Sequence, residues 1–83
     1  MALVVEIEHV ERNIRGPHKP VACSWDQFRG PDGRTYLQIV TYGSEDRQMC
    51  GEVSQTIQFD ESAARHLLDL IGRVFGPRAT QRI

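Results

Sequence analysis

The histidines and cysteines that could serve as catalytic bases, thiol nucleophiles or zinc ligands in this 83-residue chain are few: His9, His18 and His66, with Cys23 and Cys50. Nucleophilic catalysis needs a serine or cysteine beside a base that a third group orients. Cys50 with His66 is the nearest approach to such a pair, and nothing in their spacing supports it. No two of these residues stand at the close spacing of a zinc site. Glu45-Asp46 does not follow the calcium-loop pattern. The stretch "GPDGRT" lacks the spacing of a phosphate-cradling loop, and no helix follows it. The pattern predicts a chain with no catalytic residues, no metal and no cofactor.

A different chemistry has several supports. Phe28, Tyr36, Tyr42 and Trp25 fall in strand-like runs, where rings present flat surfaces. Arg29 and Arg34 flank a tight turn, and Arg12, Arg15 and Lys19 stand in the preceding loop. Single-strand nucleic-acid binders combine aromatic platforms with positive charge, because stacking tolerates any base and phosphate contact tolerates any sequence. The alternative is that Trp25 belongs to the core and the tyrosines pack a dimer or a sheet edge. Ser54, Thr56 and Gln58 add an uncharged hydrogen-bonding row in "GEVSQTIQF", where an ordinary solvent face would carry Lys or Glu.

These residues need a scaffold, and the composition allows one small domain, residues 1–77, with 78–83 as a flexible tail. Hydrophobic content of 40% and charged content of 25% are ordinary for a globular chain. A domain this size buries only about 60% of the surface its unfolded chain exposes, so dimerisation would help it. No apolar run approaches the roughly 20 residues of a membrane helix. The start, "MALVVEIEHVE", lacks the basic segment of a signal peptide. The expectation is a cytoplasmic protein with reduced thiols, Cys23 in the core and Cys50 in a loop. The net charge of −1 argues against a strongly basic nucleic-acid binder. Its parts are segregated, however: Glu6, Glu8 and Glu11 at the start, a mainly basic stretch over 12–34, an acidic one over 44–61 and a basic one over 62–83. Such segregation allows a basic patch on a nearly neutral protein.

The elements follow from periodicity. "LVVEIEHV" alternates as a half-buried strand, and "RNIRGPHKP" is a basic loop. "VACSWDQF" is a second strand with Val21, Cys23 and Trp25 on one face and Phe28 on the other, which suggests a bulge near Asp26. In "RGPDGRT", Pro31 and Asp32 suit the centre of a type I turn and Gly33 the left-handed position after it. The turn joins that strand to "YLQIVTY" as a hairpin. There Leu37 and Ile39 face one side, and Tyr36, Gln38, Val40 and Tyr42 the other. "GSEDRQMCG" is a polar loop, and "GEVSQTIQF" is the fourth strand.

A helix closes the domain. Asp60 is its N-cap, Glu61 suits the first turn and Gly76-Pro77 stops it. At about 100° per residue, Ala63, Ala64, Leu67, Leu68, Leu70, Ile71, Val74 and Phe75 span roughly 160°. One packed surface needs a stripe of about 100°, so the helix either lies deep on its sheet or also covers a partner subunit, with Leu67, Leu70 and Val74 at the dimer interface. The expected fold is α+β: a four-stranded antiparallel sheet with one C-terminal helix on one face, in the order β-β-β-β-α.

"IQFDESAARHLLDLI" resembles the last strand and helix of the positive-cofactor-four family of transcriptional coactivators, approximately I-S-L-N-P-E-Q-W-x-x-L-K-x-x-I. It keeps the apolar positions Ile57, Phe59, Leu67 and Ile71. "SWDQFRG" is similar to that family's S-V-R-K-F-K-G, and "YLQIVTY" to its L-I-D-I-R-E-Y, so the resemblance covers about residues 21–75. It implies a dimer through the helices and a sheet that binds single-stranded DNA. Phe28 and Arg29 match the family's aromatic and basic pair. Ser54 and Gln55 stand where the family has a basic pair, Val40 where it has an arginine, and Asp26 and Gln27 where it has two basic residues.

The expectation is a non-enzymatic homodimer binding single-stranded nucleic acid, in transcription or DNA maintenance. Phe28, Tyr36 and Tyr42 would stack bases, Arg29 and Arg34 would hold phosphates, and Gln38, Ser54, Thr56 and Gln58 would line the same face as hydrogen-bonding groups. The alternative is a protein-binding module or inhibitor of phage or plasmid type, using the same face.

Overall fold

The computed structural model describes residues 1–43 and 53–76, and these form four strands and a helix. In order they are β1 (Ala2–Val4), β2 (Cys23–Arg29), β3 (Thr35–Tyr42), β4 (Val53–Phe59) and α1 (Glu61–Phe75). They form one sheet in the order β1-β4-β3-β2, with α1 lying across β3 and β4. The fold is therefore α+β, with the helix after the sheet as its sequence order requires.

The β2–β3 hairpin is built by its turn. Gly33 takes a φ of 82°, a conformation that costs an L-residue a clash at Cβ and costs glycine none. Its N–H donates to the Gly30 carbonyl at 3.0 Å, and the Gly30 N–H donates to the Arg34 carbonyl at 2.9 Å. That geometry sets an unbroken register from Arg29–Thr35 to Cys23–Thr41. The suggested bulge near Asp26 is absent. Phe28 lies opposite Trp25 simply because the positions differ by an odd number, and Phe28 has its own partner in Tyr36. The irregularity falls instead between Thr41 and Tyr42. There the register passes from Thr41–Gln55 to Tyr42–Val53 and leaves Ser54 without a partner.

The expectation of a wholly antiparallel sheet is corrected at β1. Ala2, Leu3 and Val4 pair in parallel with Ile57, Gln58 and Phe59. No hairpin turn fixes the direction of β1, because residues 5–22 carry the chain from this edge of the sheet to the other. Parallel strands need a long connection of that kind. The strand also stops at Val4, so the alternation beyond it does not make a strand, and His9 lies outside the sheet.

Both ends of α1 are satisfied locally. Asp60 is the N-cap, accepting from the Ala63 N–H at 2.9 Å, and Gly76 closes the other end with its N–H on the Gly72 carbonyl at 2.8 Å. The helix covers the sheet face that carries Leu37, Ile39, Ile57 and Phe59. Its inner stripe is Ala63, Leu67, Leu70 and Val74, spaced by four, three and four residues. Ala63 is buried, and Leu67 and Leu70 are half-buried. Of the three residues expected at a dimer interface, Leu67 and Leu70 share the stripe that meets the sheet, while Val74, at the end of the helix, is 71% exposed. A second stripe, Ala64, Leu68, Ile71 and Phe75, turns outward. Leu68 and Ile71 are exposed, and Phe75 is 75% exposed.

Among the described residues Ala63 is the only fully buried hydrophobic side chain. Cys23, expected in the core, is exposed, and so is Trp25, at 71%, so the core alternative for Trp25 gives way. Both belong to the helix-side face, but β2 is the edge strand and α1 packs mainly on β3 and β4. The described helix is not long and apolar enough to cross a membrane. The loop containing Cys50 and the C-terminal tail lie outside the described residues.

Candidate nucleic-acid interface

Alternation and register gather most of the sequence-predicted residues on the sheet face away from α1. Across the strands it holds Ser24, Asp26 and Phe28 of β2, Tyr36, Gln38, Val40 and Tyr42 of β3, and Thr56 and Gln58 of β4. The residues pair with one another. Gln58 Nε2 donates to Gln38 Oε1 at 2.9 Å, and the Ser24 and Tyr42 hydroxyls share a hydrogen bond of 2.8 Å. Because Gln58 occupies the Gln38 carbonyl oxygen, Gln38 presents its amide N–H groups and Gln58 its carbonyl oxygen to an incoming ligand.

At the hairpin end the face becomes aromatic. Phe28 and Tyr36 are cross-strand partners whose rings stack at a centroid distance of 5.3 Å and an interplanar angle of 22°. Tyr36 also donates its hydroxyl to Asp32 Oδ2 at 2.6 Å, while Asp32 Oδ1 accepts from the Arg34 N–H at 3.0 Å. The Tyr36 bond, then the Arg34 N–H, hold the Asp32 carboxyl below the ordinary 3.8. The same bond to the carboxylate raises the Tyr36 phenol above 10.0. The shifts are opposite in sign and have one cause, since the bond stabilises the ionised carboxylate and the protonated phenol together. Sequence reading placed Asp32 in the turn and missed its link to Tyr36. The spacing of four residues across a tight hairpin was the available signal.

The arginines do not share this face. Arg29 alternates with Phe28 and stands on the helix-side row with Trp25 and Gln27. Arg34 lies in the turn and, with Gly33, Thr35, Asp60, Glu61, Ser62 and Arg65, lines a cavity of about 620 Å³ at the start of α1. Among the described strand residues the open face carries no lysine or arginine, and it carries one acid, Asp26. Arg29 follows Phe28 at the end of β2, and Arg34 stands in the turn just before β3. Ser54, at the bulge, leaves the row of Thr56 and Gln58 at its far end.

The helix-side face has its own opening. Trp25, Gln27, Leu37, Phe59, Ala64 and Arg65 are among the residues lining a groove of about 370 Å³ between β2 and α1. Ala64 belongs to the outward helix stripe, which continues through the exposed Leu68, Ile71 and Phe75. No group of three metal-binding side chains gathers among the described residues. No family model, no curated protein and no solved structure matches the chain.

Proposed function

We propose that the chain is a non-enzymatic, homodimeric module that binds single-stranded nucleic acid on its open sheet face. The observation that carries this reading is the Phe28–Tyr36 stack, set at the end of a neutral amide and hydroxyl row, with Arg29 and Arg34 close to it in the hairpin sequence. A single strand would lay bases on the rings and the row, with its phosphates turned to the hairpin tip and the β2 edge. Stacking is indifferent to base identity, so binding would have little sequence preference. The dimer would form through Leu68, Ile71 and Phe75, with Trp25 beside them, because a helix face so apolar needs cover.

A protein partner is the second reading, favoured by the open face having Asp26 and no basic strand residue. One titration separates the two. Fluorescence anisotropy of a labelled single strand of about 20 nucleotides is followed at low and moderate salt, for wild type and for Arg29→Ala/Arg34→Ala. Nucleic-acid binding predicts salt-sensitive affinity whose logarithmic slope falls by about 0.7 for each phosphate that the variant no longer neutralises. No binding at low salt would sink the proposal and leave the protein partner as the better account of this face.

A further inference from the structure

Building on that reading of the open face, we infer that Phe28 is the ring that receives a base, while Tyr36 is a positioning residue behind it, set by Asp32 and Gly30. Phe28 stands on the edge strand and is 39% exposed. Tyr36 stands one strand further in and is half-buried. Since the rings stack, each covers one face of the other. The uncovered face of Phe28 is the one turned from Tyr36, towards the side where β2 has no neighbour.

Tyr36 is held at two points. Its hydroxyl donates to Asp32, and Asp32 is itself fixed by the Arg34 N–H of the turn. At the ring's edge Gly30 leaves no spare room. A Cβ there would come within 2.8 Å of Tyr36 Cε2 and 3.0 Å of Asp32 Oδ1. The turn sequence thus fixes the plane of the Tyr36 ring, and through the stack it fixes the plane of Phe28. A plate oriented before binding loses less conformational freedom when a base settles on it. Asp32, an acid in a nucleic-acid site, therefore assists binding through Tyr36 although it repels phosphate.

The test compares a labelled strand of about 20 nucleotides with an abasic strand of equal length, and reads the ratio of the two affinities. Phe28→Ala should lower that ratio about fivefold or more. Tyr36→Phe, which keeps the ring and every charge, and Asp32→Ala should each lower it about two- to tenfold. The double variant should lose no more than Asp32→Ala alone, because both changes remove the Tyr36–Asp32 bond. Gly30→Ala should lower the ratio as well. Circular dichroism verifies that each variant is folded, and Tyr36→Phe disturbs the fold least. Unchanged ratios for Tyr36→Phe and Asp32→Ala, additive losses, or equal losses on the abasic strand would overturn the inference while wild-type binding stands. Failure of wild type to bind the intact strand would overturn the functional reading, and this inference with it.

Discussion

Asp60 receives the N–H of Ala63 at 2.9 Å, and Ala63 is also the helix residue pressed most deeply against the sheet, at 1% exposure. The cap and the packing contact therefore position one turn together. Asp60→Ala should remove the cap at a cost of about 1 kcal/mol. In a domain of this size that is a fall in Tm of roughly 4–8 °C, measured by thermal circular dichroism. Ala63→Leu should cost about 1–3 kcal/mol through overpacking, and combining it with Asp60→Ala should be non-additive.

The hairpin turn gives a second stability test. Gly33→Ala forces a Cβ into a φ of 82° and should cost about 1 kcal/mol in chemical denaturation. Gly16→Ala, where a Cβ meets nothing within 4 Å and φ is not positive, should change little and serves as the control.

The Tyr36–Asp32 bond should be visible in titration. The Tyr36 phenol should ionise above 10.0 by near-ultraviolet absorbance, and Asp32→Ala should return it towards that value. Tyr36→Phe identifies which of the two tyrosines is responsible. The contribution of a raised phenol to stability is complete below its unfolded value and is lost as pH climbs through the folded one. The depressed Asp32 carboxyl contributes above its unfolded value of 3.8, and its share is lost as pH falls through the lower folded value. Hairpin stability should therefore be flat between these limits.

The outward helix stripe predicts association. Size-exclusion chromatography with light scattering should give a dimer, and Leu68→Asp or Phe75→Asp should give a folded monomer. Loss of one such buried side chain, about 1.5–3 kcal/mol, raises the dimer Kd at least about tenfold. Leu67→Asp, on the inner stripe, should instead unfold the chain. Trp25 emission should shift to the blue with rising wild-type concentration, and should not shift for Leu68→Asp.

Much of this architecture is legible in the residues. Asp60, Gly76 and the Pro31-Asp32-Gly33 turn act through local backbone chemistry, so their roles follow from a few neighbouring positions. Period-two alternation in "YLQIVTY" likewise separates Leu37 and Ile39 from Tyr36, Gln38 and Tyr42. What escaped depends on which strands the helix reaches. Trp25 and Cys23 have the pattern of core residues, yet they are exposed because β2 is an edge that α1 does not cover. Leu67 and Leu68 are equally apolar, and only their angle to the sheet separates the inner from the outer stripe. In the candidate site the rings and the neutral row were legible. The division of Arg29 and Arg34 from that face was not, because it depends on register.

The parallel seat of β1 beside β4 also orders events during synthesis. Ala2, Leu3 and Val4 leave the ribosome before β2, β3 and β4, but their partners are Ile57, Gln58 and Phe59. The β2–β3 hairpin can close as soon as its own residues emerge, whereas the first-made strand must wait until β4 has been made. The earliest of the four strands is thus among the last to be sheltered, and until then Leu3 and Val4 are open to capture by chaperones or by neighbouring nascent chains.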